Sequence, residues 1–190
     1  MRAILTSLGV LLLTACGSSP PTRFYALEPT ASTARSSGPD APIKVDAVHI
    51  PSLLDRQTML RGENHYQLSI SSQDRWGADF GDMVRRVLTQ DLERRLPAGS
   101  VISPNTPAPP DARGLVVDIL SFAPDGTRAI ALDVEWTLLQ GSPARPLVQR
   151  SVHLNEPSDG SAGGQAAAMS RLLGRLADQI SAAAIGPASS

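Results

Sequence analysis

Two stretches of the chain repeat apolar residues at the spacing of an α-helix. The first follows Asp79, a residue type favoured at helix N-caps, and ends before the helix breakers Pro97 and Gly99. The second extends over residues 165–183. The apolar stripes are Phe80, Val84, Val87, Leu88, Leu92 and Leu96 in the first, joined by Asp91, and Ala168, Met169, Leu172, Leu173, Leu176, Ala177 and Ile180 in the second. The pattern predicts two amphipathic helices, each of which needs an apolar surface to cover its stripe.

Most of the remaining chain carries the two-residue alternation of β-strands. In the clearest segment, 128–139, one face is apolar and the other is polar. The apolar face is Ile130, Leu132, Val134, Trp136 and Leu138, and the polar face includes Asp133, Glu135 and Thr137. Shorter strand patterns occur at 43–50, 57–61, 65–70 and 147–154, and the third of these directs Tyr66, Leu68 and Ile70 inward. Segment 114–122 is apolar on both faces, which predicts a central place in the sheet.

The order of these elements, strands then a helix twice over, predicts an α+β fold. Because each helix has a single apolar stripe, we expect both helices to pack side by side on one face of a largely antiparallel sheet. The row Asp133, Glu135 and Thr137 then belongs to the opposite, solvated face, where we expect contacts with other subunits. The first helical stripe is flanked by Arg85, Arg86, Arg94 and Arg95. Acidic residues lie among these arginines, which indicates a solvated helix face rather than a binding site.

The beginning of the chain has the layout of a secretory signal. Arg2 supplies a positive charge, an uncharged and mostly apolar run of about ten residues follows, and small residues precede Cys16. The run is too short to cross a membrane, which requires ~20 apolar residues. Its ending, Leu13-Thr14-Ala15-Cys16, resembles a bacterial lipobox, in which the cysteine is acylated and becomes the first mature residue. Cys16 is the only cysteine and has no second cysteine to pair with, which favours lipid attachment over an ordinary free thiol.

These patterns divide the chain into four parts. Residues 1–15 are the predicted signal peptide, 16–42 a lipidated N-terminus and tether rich in Ser, Pro, Thr and Ala, 43–185 a single α+β domain, and 186–190 a frayed tail. Within the tether, segment 24–27 predicts a short strand that docks on the domain, after which residues 30–42 loop out again. A wholly flexible tether of this length has an r.m.s. span of ~25–30 Å.

Composition and motifs argue against several classes of function. The formal net charge is -1, from 17 basic and 18 acidic residues, so no basic face for nucleic acid is indicated. His49, His65 and His153 lack the spacing of metal ligands, and the chain has no Gly-x-Ser-x-Gly elbow. The glycine-rich segment 160–164 lacks the Lys-Ser/Thr ending of a phosphate loop. We therefore expect a binding or scaffolding protein, not an enzyme, with no cofactor.

A set of short motifs, taken in order, carries a family resemblance. They are the lipobox, Phe24-Tyr25-Ala26-Leu27, Val45-x-x-Val48-x-Ile50-Pro51-x-x-Leu54-Asp55-Arg56, and Asp74-Arg75-Trp76 before an amphipathic helix. With these motifs the chain resembles the auxiliary lipoproteins of ABC-type transport systems, the paraquat-inducible C-type (membrane integrity-associated) lipoproteins encoded with MCE-domain proteins. The resemblance covers nearly the whole mature chain. The chain departs from the family pattern at two places. It has Gln57 where proline is usual, and it differs at 77–80, where the family tends to have Ala-Glu-Pro-Leu.

The resemblance implies a role in moving lipid between the inner and outer membranes. The protein would lie on the periplasmic face of the outer membrane, an address with which Gly17 after the cysteine agrees, and would receive the end of an MCE-domain assembly. The candidate partner-binding residues are Leu54, Asp55, Arg56, Arg75 and Trp76. The alternative for each is a structural role, with Trp76 covering the core and the arginines pairing with a nearby aspartate.

Two questions are left open by the sequence. The alternative function is a structural or assembly lipoprotein of the outer envelope, which binds other envelope proteins or cell-wall polymer. In oligomeric state, the chain is compatible with a homo-oligomeric ring around a partner and with a monomer.

Overall fold

The computed structural model describes residues 20–32, 37–64 and 67–185. The strands are β1 (Arg23–Tyr25), β2 (Ile43–His49), β3 (Thr58–Asn64), β4 (Gln67–Trp76), β5 (Val101–Ile102), β6 (Arg113–Pro124), β7 (Ala129–Gln140) and β8 (Arg145–Pro157). The helices are α1 (Phe80–Arg95) and α2 (Ala162–Ile185). Cys16, the predicted signal peptide, His65, Tyr66 and the 186–190 tail lie outside the described residues.

Five strands form the larger sheet, in the order β5-β2-β6-β7-β8. The longest ladders are antiparallel and join β6 to β7 and β7 to β8, whereas β2 runs parallel to both β5 and β6. The central place predicted for segment 114–122 is confirmed, since β6 is the middle strand. The predicted apolar face of β7 is also buried, from Ile130 at 2% exposed to Leu138 at 0%.

The other three strands form a separate, smaller sheet in the order β1-β4-β3. β1 runs parallel to β4, with Arg23 opposite Asp74, and β3 pairs with β4 as an antiparallel hairpin. The register of this hairpin shifts between the pair Thr58–Arg75 and the pair Leu60–Ile70, so β4 bulges between them. The predicted α+β class is confirmed, with the strands divided between two sheets.

The two helices pack against each other and cover the larger sheet. α1 contacts β2, and α2 contacts β7 and β8. The apolar stripes predicted for the helices are buried, and the apolar face of β7 belongs to the same core cluster.

Asp79 occupies the N-cap position of α1, but its side chain makes no capping hydrogen bond. On the other face of β7, Glu135 is exposed and Asp133 and Thr137 are partly exposed.

Two expectations about exposed side chains are wrong. Arg95, expected on a solvated helix face, is only 4% exposed and pairs with Asp91 at 2.9 Å and with Asp178 at 2.7 Å. Leu68 and Ile70, expected to point inward, are 37% and 55% exposed. Alternation identifies the residues that share a face, but whether another element covers that face depends on the tertiary fold.

The chain from Arg23 to Thr30 packs along the domain, so it does not loop out at Thr30 as expected. Leu27 is fully buried, and the guanidinium of Arg86 donates to its carbonyl oxygen at 3.1 Å. The amide and the hydroxyl of Thr30 both donate to Asp91 Oδ1 at 2.9 Å. We call residues 23–30 the N-terminal strap, because β1 attaches them to β4 and these hydrogen bonds attach them to α1.

Candidate partner-binding surface

The five residues selected from the motifs lie together at one end of the smaller sheet, where β3 begins and β4 ends. A tight turn before β3 carries three of them, and the amides of Leu54 and Asp55 both donate to the Pro51 carbonyl oxygen, at 2.8 and 3.1 Å. The amide of Trp76 donates to the Gln57 carbonyl oxygen at 2.6 Å, which holds the turn against the end of β4. The fold therefore brings together two motifs that are separate in the sequence.

Leu54 and Trp76 belong to the core. They are 7% and 5% exposed, and both line a small cavity. The ring centroid of Trp76 lies 5.1 Å from that of Phe80, which in turn lies 6.0 Å from that of Phe122. Aromatic pairs at such separations stabilise the packing beyond the area that they bury. These contacts favour the structural alternative for both residues, because neither side chain is presented to a partner.

Asp55 is exposed and faces an open groove between the turn, β2 and the start of α1. The other ionisable side chains that line the groove are Asp46, His49, Asp79, Asp82 and Arg85. The groove is acidic, since its carboxylates outnumber its single guanidinium and Arg85 already lies 3.9 Å from Asp82. The positive end of the α1 dipole stabilises the carboxylates that lie beside it. A surface of this charge suits basic side chains of a protein partner.

Arg56 and Arg75 are half-buried, and neither forms an ion pair with another residue of the described ranges. Arg56 Nε is buried and makes no hydrogen bond. A buried donor without an acceptor is costly to the fold, and a partner could reach Arg56 only through the exposed part of its side chain. Arg75 lies between Phe24 of β1 and Thr58 of β3. Of the five selected residues, these two arginines and Asp55 offer polar groups for a partner.

Leu53 is a residue of this surface that the motifs did not select. It is 49% exposed, whereas Leu54 beside it is buried. One of two adjacent leucines in a tight turn has to face solvent, but the sequence does not say which. Leu53 gives the surface an apolar component of the kind that the centres of protein–protein interfaces contain.

Asp74 belongs to the second motif but was not selected from the sequence. It is 1% exposed and accepts hydrogen bonds from Arg23 Nε at 2.9 Å, from Ser71 Oγ at 2.8 Å and from Arg61. Burial by itself raises the pKa of this carboxyl, but the hydrogen bonds from Arg61 and Ser71 and the charge of Arg23 outweigh it and lower the pKa below 3.8. Because Arg23 is in β1 and Arg61 in β3, Asp74 joins both outer strands to β4.

The described residues contain no group of three or more His, Cys, Asp or Glu side chains that could hold a metal ion. His49 hydrogen-bonds Asp118 and His153 hydrogen-bonds Asp133, both on the larger sheet. Both histidines are exposed.

Comparison with solved structures shows the fold. One similar chain is the crystal structure of an uncharacterized protein, with 16% identity and a TM-score of 0.70, which covers 85% of this chain and 97% of its own. A second is a protein of the DUF330 family from Xanthomonas campestris, with 17% identity and a TM-score of 0.66, which covers 83% of this chain and 92% of its own. At these identities the likeness concerns the fold alone.

Comparison with protein families identifies the family of the chain, whereas comparison with curated proteins finds no relative. Among the described helices, none combines the length and the apolar character that crossing a membrane requires. A family model of the ABC-type transport auxiliary lipoprotein component matches residues 25–181, which include both motifs of the candidate surface and both helical stripes. The chain belongs to this family of ABC-type transport auxiliary lipoproteins.

Proposed function

We propose that the chain is an accessory lipoprotein of an ABC/MCE-type lipid transport system. It is anchored to the periplasmic face of the outer membrane and acts by binding and scaffolding between the membranes, without catalysis. The observation that carries this proposal is the family match over residues 25–181. The family is a transport auxiliary component rather than an enzyme class.

Attachment through Cys16 is the first element of the proposal. The lipobox-like ending before Cys16 supplies the acylated residue, and Gly17 agrees with transfer to the outer membrane. A single acyl chain gives only marginal membrane binding, whereas the diacylglycerol of a lipoprotein supplies two chains. The lipid thus holds the domain at the membrane while the domain itself lies in the periplasm.

The candidate surface is the second element. Arg56 and Arg75 offer guanidinium groups without ion-pair partners, and the groove beside Asp55 offers carboxylates. A partner with acidic groups opposite the arginines and basic groups opposite the groove would bind in one orientation, because the wrong pairing places like charges together. An MCE-domain component of the transporter is the partner that the family resemblance implies.

Replacement of the acylated residue tests the anchor. We expect the wild-type chain to fractionate with the outer membrane and Cys16→Ser to appear in the soluble periplasmic fraction, because the variant has no thiol to acylate. Ser18→Ala, two residues further on, is the matched control and should behave as wild type. A Cys16→Ser chain that still fractionates with the outer membrane would contradict lipid anchoring.

Crosslinking in intact envelopes tests the transport role. The full chain is crosslinked in intact cells of its native host, and the products are identified by mass spectrometry. We expect a crosslinked product with the MCE-domain protein. Recovery of cell-wall polymer or of other envelope proteins, with no MCE-domain product, would contradict the transport role and favour the alternative of an assembly lipoprotein.

A further inference from the structure

The hairpin of β3 and β4 carries exposed apolar side chains at the end where β4 begins. Leu68 and Ile70 are 37% and 55% exposed. Single exposed apolar residues are ordinary on a soluble protein. Here both occur on β4, the neighbour of β1, and β1 is the strand that receives the chain from the predicted lipid anchor. The position of this anchor decides what covers them.

The direction of β1 shows on which side of the domain the anchor lies. β1 is parallel to β4, and Arg23 is opposite Asp74. The chain therefore enters β1 from the end at which β4 begins, which is the end that carries Leu68 and Ile70. Ile70 pairs with Leu60 and Arg75 pairs with Thr58, two residues away on β3, so Ile70 lies ~7 Å from Arg75 toward that end when measured along β3.

The length of the chain before β1 limits the distance to the membrane. Cys16 precedes Arg23 by seven residues, which span at most ~25 Å when fully extended and ~15 Å on average when flexible. Because the N-terminal strap is bound to the domain from Arg23 onward, residues beyond this point add nothing to the reach. The membrane at Cys16 therefore lies within a short distance of Arg23. The end of the hairpin at which β4 begins lies within a similar distance of Arg23.

We propose that the hairpin of β3 and β4 is a second membrane contact, in which Leu68 and Ile70 enter the interface of the leaflet that holds the acyl chains of Cys16. The contact rests on the proposed anchoring at Cys16. Apolar side chains enter this interfacial zone to a depth of ~5–10 Å in peripheral proteins. A groove lined by Arg61 and Arg128 borders the hairpin. Arg61 pairs with Asp74, so the exposed Arg128 is the cation that would meet lipid phosphate groups.

The contact orients the domain in a way that serves scaffolding. β4 runs for ten residues from the hairpin end to Trp76, a length of ~30 Å if extended, less its bulge. The turn with Asp55 and Arg56, and Arg75 beside it, lie at the far end of this strand. With the hairpin on the lipid surface, the candidate partner-binding surface faces the periplasm.

A fluorescent probe on the lipidated full chain tests the contact. Because the single native cysteine is acylated, Leu68→Cys introduces the only free thiol, which is labelled with the environment-sensitive probe NBD. The protein is reconstituted into vesicles of phosphatidylethanolamine with a minority of phosphatidylglycerol. We expect brighter, blue-shifted emission and quenching by lipid-borne doxyl groups. Gln149→Cys, on exposed β8 of the larger sheet, is the matched control and should show neither effect.

A second probe separates the contribution of the apolar side chains. The label is placed at the exposed residue Ser72 by Ser72→Cys, with Leu68 and Ile70 either retained or both replaced by serine. We expect the double replacement to abolish lipid quenching at this site while the circular dichroism spectrum stays unchanged, because all three positions are exposed.

Flotation of the vesicles distinguishes the two proposals. Protein that does not float with the vesicles overturns the anchor and, with it, the hairpin contact. Protein that floats, but whose Leu68→Cys probe is no more quenched than the control, overturns the hairpin contact alone. A probe that is shielded only when envelope proteins are added also overturns it, since the hairpin would then bind protein rather than lipid.

Discussion

Thr30 donates two hydrogen bonds to Asp91, one from its amide and one from its hydroxyl, both at 2.9 Å. Asp91 is fully buried in α1, and burial raises the pKa of its carboxyl although the donors from Thr30 and Arg95 partly oppose this. Arg95 continues the network, since it pairs with Asp91 at 2.9 Å and with Asp178 of α2 at 2.7 Å. One polar cluster thus joins the N-terminal strap to both helices.

Thr30→Val removes the hydroxyl from this cluster and preserves the side-chain shape. We expect the free energy of unfolding to fall by about 1–2 kcal/mol, because buried Asp91 loses a donor and Arg95 loses the acceptor that it contacts at 3.1 Å. Urea denaturation of the mature chain measures the change. Thr106→Val, at an exposed threonine, is the control and should stay within about 0.5 kcal/mol of wild type. Equal losses in both variants would contradict the role of the Thr30 hydroxyl.

Gly174→Ala tests how closely the strap approaches α2. Alanine in place of glycine ordinarily stabilises a helix interior by about 1 kcal/mol. Here the added Cβ would lie 3.0 Å from Arg95 Nη2 and 3.1 Å from Thr30 Cβ, and closer still to the Thr30 hydroxyl. We therefore expect a net loss of about 1–2 kcal/mol, because Thr30 has to leave its place on Asp91.

The matched control for this variant is Gly163→Ala in the first turn of the same helix. An added Cβ there meets nothing closer than a Tyr25 ring carbon at 3.9 Å, so we expect an unchanged or higher free energy of unfolding. Thermal or urea denaturation of both variants gives the comparison. If Gly174→Ala is stabilised as much as Gly163→Ala, the strap does not pack on α2 as described.

The parts of this fold that the sequence predicts are those with local periodicity. The stripe around Leu88 and the alternation around Val134 each follow from contact with one continuous core. The second apolar face of β6 is not buried in the same way, since Leu120 is 57% exposed. The division into two sheets and the burial of Arg95 depend on pairings between distant residues, such as Arg23 with Asp74 and Arg95 with Asp178. Local pattern carries no signal for such pairs.

The candidate surface shows the same limit. The motifs that carry the family resemblance selected the turn with Asp55 and the end of β4 with Arg75, and the structure brings the two together. The motifs did not distinguish buried from exposed side chains. They selected Leu54 and Trp76, which are buried, and passed over Leu53, which is exposed. Exposure in a turn is decided by the packing of the neighbouring helix and sheet, and this information is absent from a short motif.

Asp74 gives the domain a specific dependence on pH. Its pKa in the folded protein lies below 3.8, so the unfolded chain takes up the proton more readily. The stabilisation from Asp74 is thus complete above the unfolded pKa and is lost as the pH falls through the folded pKa. Asp74→Asn removes this contribution. We expect it to cost about 2 kcal/mol near neutral pH, because the hydrogen bonds from two arginines lose their charged acceptor.

Urea denaturation of wild type and Asp74→Asn, from neutral pH to about pH 3, tests the sign of this effect. The difference between their unfolding free energies should be largest near neutral pH and should shrink as the solution becomes acidic. Asp111→Asn, at an exposed aspartate, is the control and should track wild type throughout. A wild-type advantage over Asp74→Asn that stays constant across this pH range would contradict a lowered pKa at Asp74.

Replacements within one motif separate the fold from partner binding. Trp76→Ala removes a side chain that is 5% exposed and packed on Phe80, so we expect it to cost about 3–5 kcal/mol. Arg75→Ala removes a half-buried side chain with no ion pair, so we expect a change within about 0.5 kcal/mol but a lower yield of the crosslinked MCE-domain product. Arg56→Ala should lower that yield as well, because it removes the other guanidinium of this surface that has no ion pair among the described residues.

The control for the two arginine variants is Arg145→Ala, at the exposed start of β8 on the edge of the larger sheet. It removes the same charge and the same side chain from a surface remote from the motifs in the strand order. We expect it to preserve both the free energy of unfolding and the crosslinking yield. If all three variants fold and crosslink equally well, the arginines of the motifs do not bind the partner, and their place beside the turn serves the packing of the smaller sheet.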